Sequence, residues 1–215
     1  MKEIFIKTQK TARIFSKNSE NKEATEVVIA LHGYAQLASF FIQKFDFLST
    51  TKTPVYAPEG LSKFYWNGMN GRVVASWMTK EDRKNEIEDQ KHFLNKVIET
   101  IRENHPFAKI TVLGFSQGSA IACRWIASSK TDINRLIIWA GDIPEDVLQD
   151  TYFHRIPIQL VFGVSDQFIS QELANRRIQL YKEAGFQIEV IRYSGEHKIY
   201  PEVLKTLFKH DSSFS

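Results

Sequence analysis

Residues 110–127 read ITVLGFSQGSAIACRWIA, and this stretch decides the fold of the chain. Its first four residues form an apolar run of strand length, and the part from Ser116 onward is apolar almost all round, which is typical of a deeply buried helix. Between the two, residues 114–118 match the pattern G-x-S-x-G. A serine on a sharp turn between a strand and a helix projects from the edge of an α/β sheet and is called a nucleophile elbow. The alternative is an ordinary glycine-rich turn. The strand-turn-helix context favours the elbow, with Ser116 as a nucleophile.

Apolar runs alternate with helical patterns on both sides of this stretch, which predicts a mostly parallel sheet covered by helices. The predicted strands are rich in Val, Ile and Leu, as are strands buried on both faces: residues 27–31, 55–57, 110–113, 136–139, 158–162 and 188–193. Residues 4–6 and 12–15 are expected to add an antiparallel edge. The predicted fold class is therefore α/β, with the arrangement of an α/β-hydrolase fold and helices on both faces of the sheet.

The predicted helices lie between these strands, and no Gly-, Pro- or Ser-rich linker divides the chain. They cover residues 39–48, a charged segment with an apolar stripe from Ile87 to Ile101, residues 116–127, residues 171–184 and a last helix that begins near Pro201. We therefore expect one domain over residues 1–215, without a large cap domain and with a frayed tail at about 209–215. The longest irregular stretch runs from residue 58 to about residue 80.

Composition narrows the class of protein. The formal net charge is +3, and Lys and Arg are interleaved with Asp and Glu, so we expect no nucleic-acid partner. No apolar segment is long enough to span a bilayer, and residues 1–7 contain no apolar stretch of signal-peptide length. The lone cysteine, Cys123, excludes an internal disulfide and fits a reducing compartment. A cytoplasmic protein without stable membrane insertion is expected.

A serine hydroxyl is a weak nucleophile until a base removes its proton, so the sequence must supply a histidine. In α/β-hydrolases the order along the chain is serine, acid, histidine. Of six histidines, His197 and His210 lie in the expected region, and His154 comes too early. His197 is in a short loop between the last predicted strand and the last helix, whereas His210 is in the tail. His197 is therefore the predicted base.

Two aspartates are candidates for the acid that orients the base. Asp166 follows the strand at 158–162, and Asp142 follows the strand at 136–139, so both would lie at the carboxyl edge of the sheet. Asp166 is one strand nearer to His197 in sequence, and it is the preferred acid. The alternative role of Asp142 is to cap the turn before Pro144.

The oxyanion formed during acyl transfer requires two backbone N–H donors. One is expected from Gln117, the residue after the nucleophile, and the other from the loop after the strand at 27–31. In that loop Gly33 lets the backbone approach closely, and the N–H of Tyr34 is the predicted donor. His32 is expected to be a structural hydrogen-bonding residue.

With these residues placed, nearly the whole chain resembles the phospholipase/carboxylesterase family, which includes acyl-protein thioesterases. The similarity is carried by residues 31–33 (LHG), 75–77 (ASW) and 114–118 (GFSQG). It implies a triad of Ser116, Asp166 and His197, with Tyr34 and Gln117 at the oxyanion hole. The chain departs from the family where residues 34–36 read YAQ in place of Leu-Gly-Asp, and where Met78-Thr79 replaces Phe-Asp. These departures bear on the substrate.

The irregular stretch at 58–80 is rich in large apolar side chains, among them Trp66 and Trp77. Two interpretations are open: these side chains close the core under a long loop, or they form a wall over an acyl pocket with Tyr34 and Gln36 opposite. The second predicts Trp66, Trp77 and Gln36 as substrate-binding residues and a preference for short-to-medium acyl groups.

The predicted activity is hydrolysis of a small carboxylic ester or thioester through an acyl-enzyme. The alternative is a catalytically silent relative that binds a small ligand or a partner. The sequence contains no His-Glu-x-x-His motif, no cysteine pair and no phosphate-binding loop, so neither a metal nor a cofactor is expected. The oligomeric state is left open, with a homodimer among the alternatives.

Overall fold

A central seven-stranded sheet organises the computed structural model, which describes residues 1–208. The predicted frayed tail at 209–215, with His210, lies outside the described residues. The strands are β1 (Ile14–Lys17), β2 (Glu26–Leu31), β3 (Val55–Pro58), β4 (Ser62–Tyr65), β5 (Val73–Ser76), β6 (Lys109–Phe115), β7 (Arg135–Trp139), β8 (Ile158–Gly163) and β9 (Ile188–Tyr193). The order in the large sheet is β1-β3-β2-β6-β7-β8-β9. Every neighbouring pair in it is parallel except β1 with β3.

Helices cover both faces of this sheet. They are α1 (Ala38–Phe41), which continues as a 3-10 helix over Ile42–Ser49, α2 (Arg83–Asn104), α3 (Gln117–Ser129), α4 (Gln171–Glu183) and α5 (Pro201–Leu207), with short 3-10 turns at Glu145–Val147 and Phe153–Arg155. Strand β2 contributes side chains to the apolar cores on both faces of the sheet, because successive side chains of a strand point to opposite faces. Val27 and Ile29 pack in the core under α2, α3 and α4, whereas Val28 and Ala30 pack in the core under α1 and α5. The predicted α/β-hydrolase fold is confirmed.

The segment at 58–80 is more regular than predicted. Strands β4 and β5 form a separate antiparallel pair, and the Trp66 N–H donates to the Arg72 carbonyl at its end. The turn contains Asn67 with φ 62° and Gly68 with φ 89°, a left-handed conformation that Asn and Gly adopt at the least steric cost. The stretch is therefore a hairpin between β3 and α2, and the prediction of an irregular loop is wrong.

Two other elements differ from the predictions. Residues 4–6 are not in a strand, and the antiparallel edge is β1 alone, paired with β3. The predicted helix at 39–48 is one turn of α-helix followed by a tighter 3-10 segment whose Phe45 and Leu48 are buried. Within residues 1–208, none of the helices combines the length and the apolar character needed to cross a membrane.

Candidate active site

Ser116 lies on a strained turn between β6 and α3. Its φ of 52° and ψ of −116° are rare for a residue with a side chain, and its N–H donates to the carbonyl of Trp139 over 2.8 Å. The flanking glycines are required by close backbone packing. A Cβ on Gly118 would lie 2.3 Å from the Leu31 carbonyl oxygen, and one on Gly114 would lie 2.5 Å from the Ser119 Cα. The turn therefore has the geometry of a nucleophile elbow.

The imidazole of His197 faces Ser116 from the loop that follows β9. Its Nε2 lies 3.0 Å from the Ser116 Oγ, within hydrogen-bond distance. The rings of Phe115 and Phe168 contact the imidazole, with centroid separations of 5.2 and 4.8 Å. These two aromatic side chains restrict the orientation of the imidazole and leave only 13% of the His197 side chain exposed.

Asp166 holds the other nitrogen of this imidazole. Its Oδ2 is 2.8 Å from the Nδ1 of His197, and its Oδ1 accepts N–H bonds from Phe168 and Ile169 at 2.8 and 3.0 Å. The carboxylate is fully buried, and three donors compensate for its loss of water. With Nδ1 donating to Asp166, Nε2 is the acceptor that a general base needs.

The alternative acid, Asp142, lies elsewhere in the site. Its carboxylate forms an ion pair with Arg177 of α4. Burial raises the pKa of the Asp142 carboxyl, and the charge and hydrogen bond of Arg177 oppose this shift. Of the two aspartates considered from sequence, the structure brings only Asp166 to His197 within the described chain.

The two predicted oxyanion donors border the same cavity as Ser116 and His197. Gln117 is the first residue of α3, where a backbone N–H has no partner within the helix. Its side chain is directed away: Oε1 accepts from the Trp77 N–H at 2.9 Å, and Nε2 donates to the Met78 carbonyl at 2.6 Å. Neither the Tyr34 N–H nor the Gln117 N–H takes part in a backbone hydrogen bond that the structure shows for residues 1–208.

Gln36 borders the cavity and also shapes the oxyanion loop. Its Oε1 accepts the Gly33 N–H at 2.9 Å, so this N–H is occupied and that of Tyr34 is left for a ligand. The loop is tied to β5 as well, because Ala35 donates to the Ala75 carbonyl and Ala75 donates to the Gln36 carbonyl. The loop is thus held in place before any substrate binds.

His32 supports this loop from inside the protein. It is fully buried; its Nδ1 donates to the Gly33 carbonyl at 2.8 Å and its Nε2 accepts the Gly60 N–H at 3.0 Å. Burial lowers the pKa of His32 to about 4, so the ring is neutral at physiological pH. The imidazole is a structural connector between two loops, as expected from the sequence.

The two tryptophans predicted to bind substrate occupy different environments. Trp77 is fully buried, and its indole N–H donates to the His32 carbonyl at 2.7 Å. The prediction that Trp77 contacts substrate is wrong, because no part of the side chain reaches the surface of the cavity. Trp66 is 36% exposed and is not among the residues that border the cavity, but its ring and that of Tyr34 form a T-shaped pair with centroids 6.0 Å apart.

The cavity has a volume of about 550 Å³, and Phe168 and Arg177 are among the side chains in its wall that were not identified from the sequence. Phe168 is the second residue after Asp166, a position that follows from the acid once it is known. For Arg177 the helical periodicity is the available signal. It lies three residues after the buried Ala174 and one before the buried Ile178, which places it at the border of the buried face of α4.

Solved structures with the same architecture include several esterases. Esterase PE8 has a TM-score of 0.68 at 20% identity, with 92% of this chain and 95% of that chain covered. Acyl-protein thioesterase 2 from Zea mays has a TM-score of 0.71 at 16% identity, covering 92% and 96%. A phospholipase/carboxylesterase from Dyadobacter fermentans has a TM-score of 0.65 at 17% identity, covering 92% and 94%. At these identities the likeness establishes the fold.

The family of the chain is established by comparing its sequence with models of protein families. None of the curated proteins compared with this chain matches it. The family model described as "Serine hydrolase (FSH1)" matches residues 22–205, which contain the elbow, the oxyanion loop and the loops of Asp166 and His197. The resemblance to phospholipase/carboxylesterase enzymes is confirmed as a resemblance to serine hydrolases, and the chain belongs to the FSH1 family of serine hydrolases.

Proposed function

We propose that the protein hydrolyses carboxylic esters or thioesters of short-to-medium acyl groups through a covalent acyl-enzyme. The observation that carries this proposal is one continuous chain of hydrogen bonds. Ser116 Oγ lies 3.0 Å from one nitrogen of His197, and the other nitrogen lies 2.8 Å from Asp166. Nucleophile, base and orienting carboxylate thus have the relative positions that acyl transfer needs.

In the acylation step the Ser116 Oγ attacks the carbonyl carbon of the substrate while His197 Nε2 takes the hydroxyl proton. The developing imidazolium is stabilised by the buried carboxylate of Asp166. The negative charge on the former carbonyl oxygen is stabilised by the N–H groups of Tyr34 and Gln117. Collapse of this intermediate expels the alcohol or thiol, which receives the proton from His197 and leaves Ser116 acylated.

Deacylation repeats the sequence with water as nucleophile. His197 removes a proton from the water as it attacks the acyl carbon, and the same two N–H groups bind the oxyanion. The proton then returns to Ser116 Oγ as the carboxylic acid leaves. Because Gln36 and Gln117 fix the oxyanion donors through their side chains, the donors are preorganised for both steps.

The size of the cavity supports the proposed range of acyl groups. Its volume of about 550 Å³ is within the common range for small-molecule sites, roughly 300–1,000 Å³. The β4–β5 hairpin adds Trp66 beside Tyr34 but does not cover the cavity. Each methylene that fits contributes about 0.8 kcal/mol, so kcat/KM should rise with acyl length and fall once the cavity is full.

A series of p-nitrophenyl esters and matched thioesters of graded acyl length tests this function. Wild type should give a maximum of kcat/KM at a short or medium chain, and Ser116→Ala should reduce kcat by on the order of 10⁴-fold or more. Ser128→Ala, which alters an exposed serine later in the same helix, is the matched control and should retain wild-type rates. A folded wild type that releases product from no member of either series would identify a silent, ligand-binding relative.

A further inference from the structure

An ion pair lies in the wall of the catalytic cavity and has no part in the steps above. Asp142 follows β7, Arg177 comes from α4, and both side chains border the cavity together with Ser116. In the sheet, β6 lies between β2 and β7. The nucleophile therefore has the oxyanion loop on one side and the charged pair on the other.

The loop that bears Asp142 is fixed against the elbow. A Cβ on Gly141 would lie 3.0 Å from the Ser116 carbonyl oxygen and 2.4 Å from the Ser119 Oγ, so the backbone at this point admits only glycine. Ser119 is itself held by a hydrogen bond to the Gly114 carbonyl at 2.6 Å. Asp142 directly follows Gly141, which packs tightly against the nucleophile turn. The fold therefore sets the position of Asp142 relative to Ser116.

The ionisable groups facing the cavity are few. Among the described residues that line it, the ionisable groups besides the phenol of Tyr34 are Asp142, Arg177 and His197, and His197 is engaged by Ser116 and Asp166. Arg177 uses Nη1 to contact the Oδ1 of Asp142. A guanidinium has several further N–H donors in a planar fork, and within residues 1–208 no other hydrogen bond of this side chain is seen.

The partly buried position of the Asp142–Arg177 ion pair argues against a purely structural role, because charged groups lose water there. The Arg177 side chain is 25% exposed, and apolar side chains of Phe168, Ile169 and Ala120 line the same cavity. A partly buried ion pair is often no more stabilising than apolar side chains of the same volume. Apolar residues here would have extended the acyl pocket, whereas a guanidinium held at its rim provides charge and directional donors.

We propose that Arg177 binds a carboxylate carried by the ester substrate, while Asp142 holds the guanidinium in position before the substrate arrives. This inference rests on the proposed function. A carboxylate matches the fork of an arginine with two parallel N–H···O bonds, a geometry that a lysine cannot reproduce. The preferred substrate class is then the monoester of a dicarboxylic acid, if the carboxylate is on the acyl part, or the ester of a hydroxy acid, if it is on the alcohol part.

Two matched pairs of substrates test the inference and distinguish the acyl from the alcohol part. The acyl arm compares mono-p-nitrophenyl adipate with p-nitrophenyl hexanoate. The alcohol arm compares the acetate ester of γ-hydroxybutyrate with butyl acetate. Hydrolysis of these two esters is measured by the acid that it releases. In one arm the wild type should have the higher kcat/KM for the carboxylate-bearing ester. In that arm Arg177→Gln should lower the ratio of charged to neutral kcat/KM by about tenfold or more, chiefly through KM.

Variants of neighbouring residues separate recognition from folding. Arg176→Gln removes an adjacent, exposed arginine that pairs with Glu172, and it should leave the ratio at the wild-type value. Arg177→Lys should retain part of the ratio because it keeps the charge but loses the fork. Asp142→Asn keeps an amide oxygen that can accept the N–H of Arg177 but removes the negative charge that competes with the substrate carboxylate, so it should raise the ratio. A merely structural pair would not produce this increase.

The inference is overturned if wild type hydrolyses the neutral ester at least as well in both arms, or if Arg177→Gln lowers both members of a pair equally. Should Arg177→Gln fail to fold, the opposite shifts expected of Arg177→Lys and Asp142→Asn decide the matter. Failure of the proposed function has a different signature: no ester in either arm is turned over faster by wild type than by Ser116→Ala.

Discussion

The Nδ1 of His197 and the Oδ2 of Asp166 are 2.8 Å apart, and the other oxygen of this carboxylate is occupied by two backbone N–H groups. The carboxylate is thus fixed in the orientation that makes Nδ1 a donor. Asp166→Asn can present an N–H to this nitrogen and favour the wrong tautomer of the imidazole. We expect kcat for p-nitrophenyl esters to fall by on the order of 10³-fold or more, measured by steady-state kinetics.

Glu196→Gln is the matched control for Asp166→Asn. It neutralises a carboxylate next to His197 in sequence, but this side chain is exposed and pairs with Lys198. Its kcat should stay close to that of wild type. Asp142→Asn should lose far less of its activity on neutral esters than Asp166→Asn. If the two aspartate variants ranked in the reverse order, the acid would have to be assigned to the loop after β7.

The buried imidazole of His32 makes stability depend on pH. Its pKa of about 4 lies below the value of 6.5 for an unfolded chain, so the unfolded state binds more protons between these values and stability falls as pH falls. The contribution is complete above pH 6.5. Between pH 6.5 and 5 it should decrease by about 1.5 kcal/mol, measured as the free energy of unfolding in urea.

His32→Gln isolates this effect from other titrating groups. The variant should be less stable than wild type at pH 7, and its free energy of unfolding should change less between pH 6.5 and 5. His92→Gln replaces an exposed histidine on α2 and should retain the wild-type slope. Equal slopes for wild type and His32→Gln would show that the loop contact does not depend on a neutral imidazole.

The two tryptophans near the hairpin should respond differently to truncation. Trp77→Ala empties a fully buried site and removes the hydrogen bond to the His32 carbonyl, so we expect a loss of about 3–5 kcal/mol in unfolding free energy. Trp66→Ala should cost little stability but raise KM for medium-chain esters a few-fold by loosening Tyr34. A stable Trp77→Ala protein with a shifted chain-length optimum would reverse this assignment.

The sequence predicts the central strands within one or two residues because their signal is local. Strand β9 coincides with its predicted range, and β8 extends it by one residue. The signal for the elbow is equally local. Gly114 must be glycine because its backbone packs against Ser119 of the same strand-turn-helix unit, and Gly118 because its backbone packs against the adjacent strand β2. The hairpin at 62–76 is not evident from the sequence although Asn67-Gly68 is a known turn signal, because both flanking strands have only four residues and β4, Ser-Lys-Phe-Tyr, has no apolar run.

Side-chain partners across the sheet are harder to predict than strands. The choice between Asp142 and Asp166 depended on which loop approaches His197, and that approach is made by Gly163 against the Gly195 carbonyl, where a Cβ would be 2.3 Å away. The burial of Trp77 likewise depends on Gln117, which lies forty residues later and holds the Trp77 N–H at 2.9 Å. Contacts between such distant segments leave no periodic pattern in the sequence.

The central claim is that Ser116 is the nucleophile, and covalent labelling tests it most directly. The protein is treated with a fluorophosphonate probe, and the modified residue is identified by mass spectrometry of its peptides. We predict one adduct per chain on Ser116, loss of esterase activity in proportion to labelling, and no adduct in Ser116→Ala. Labelling of another residue, or full activity of the labelled protein, would contradict the account.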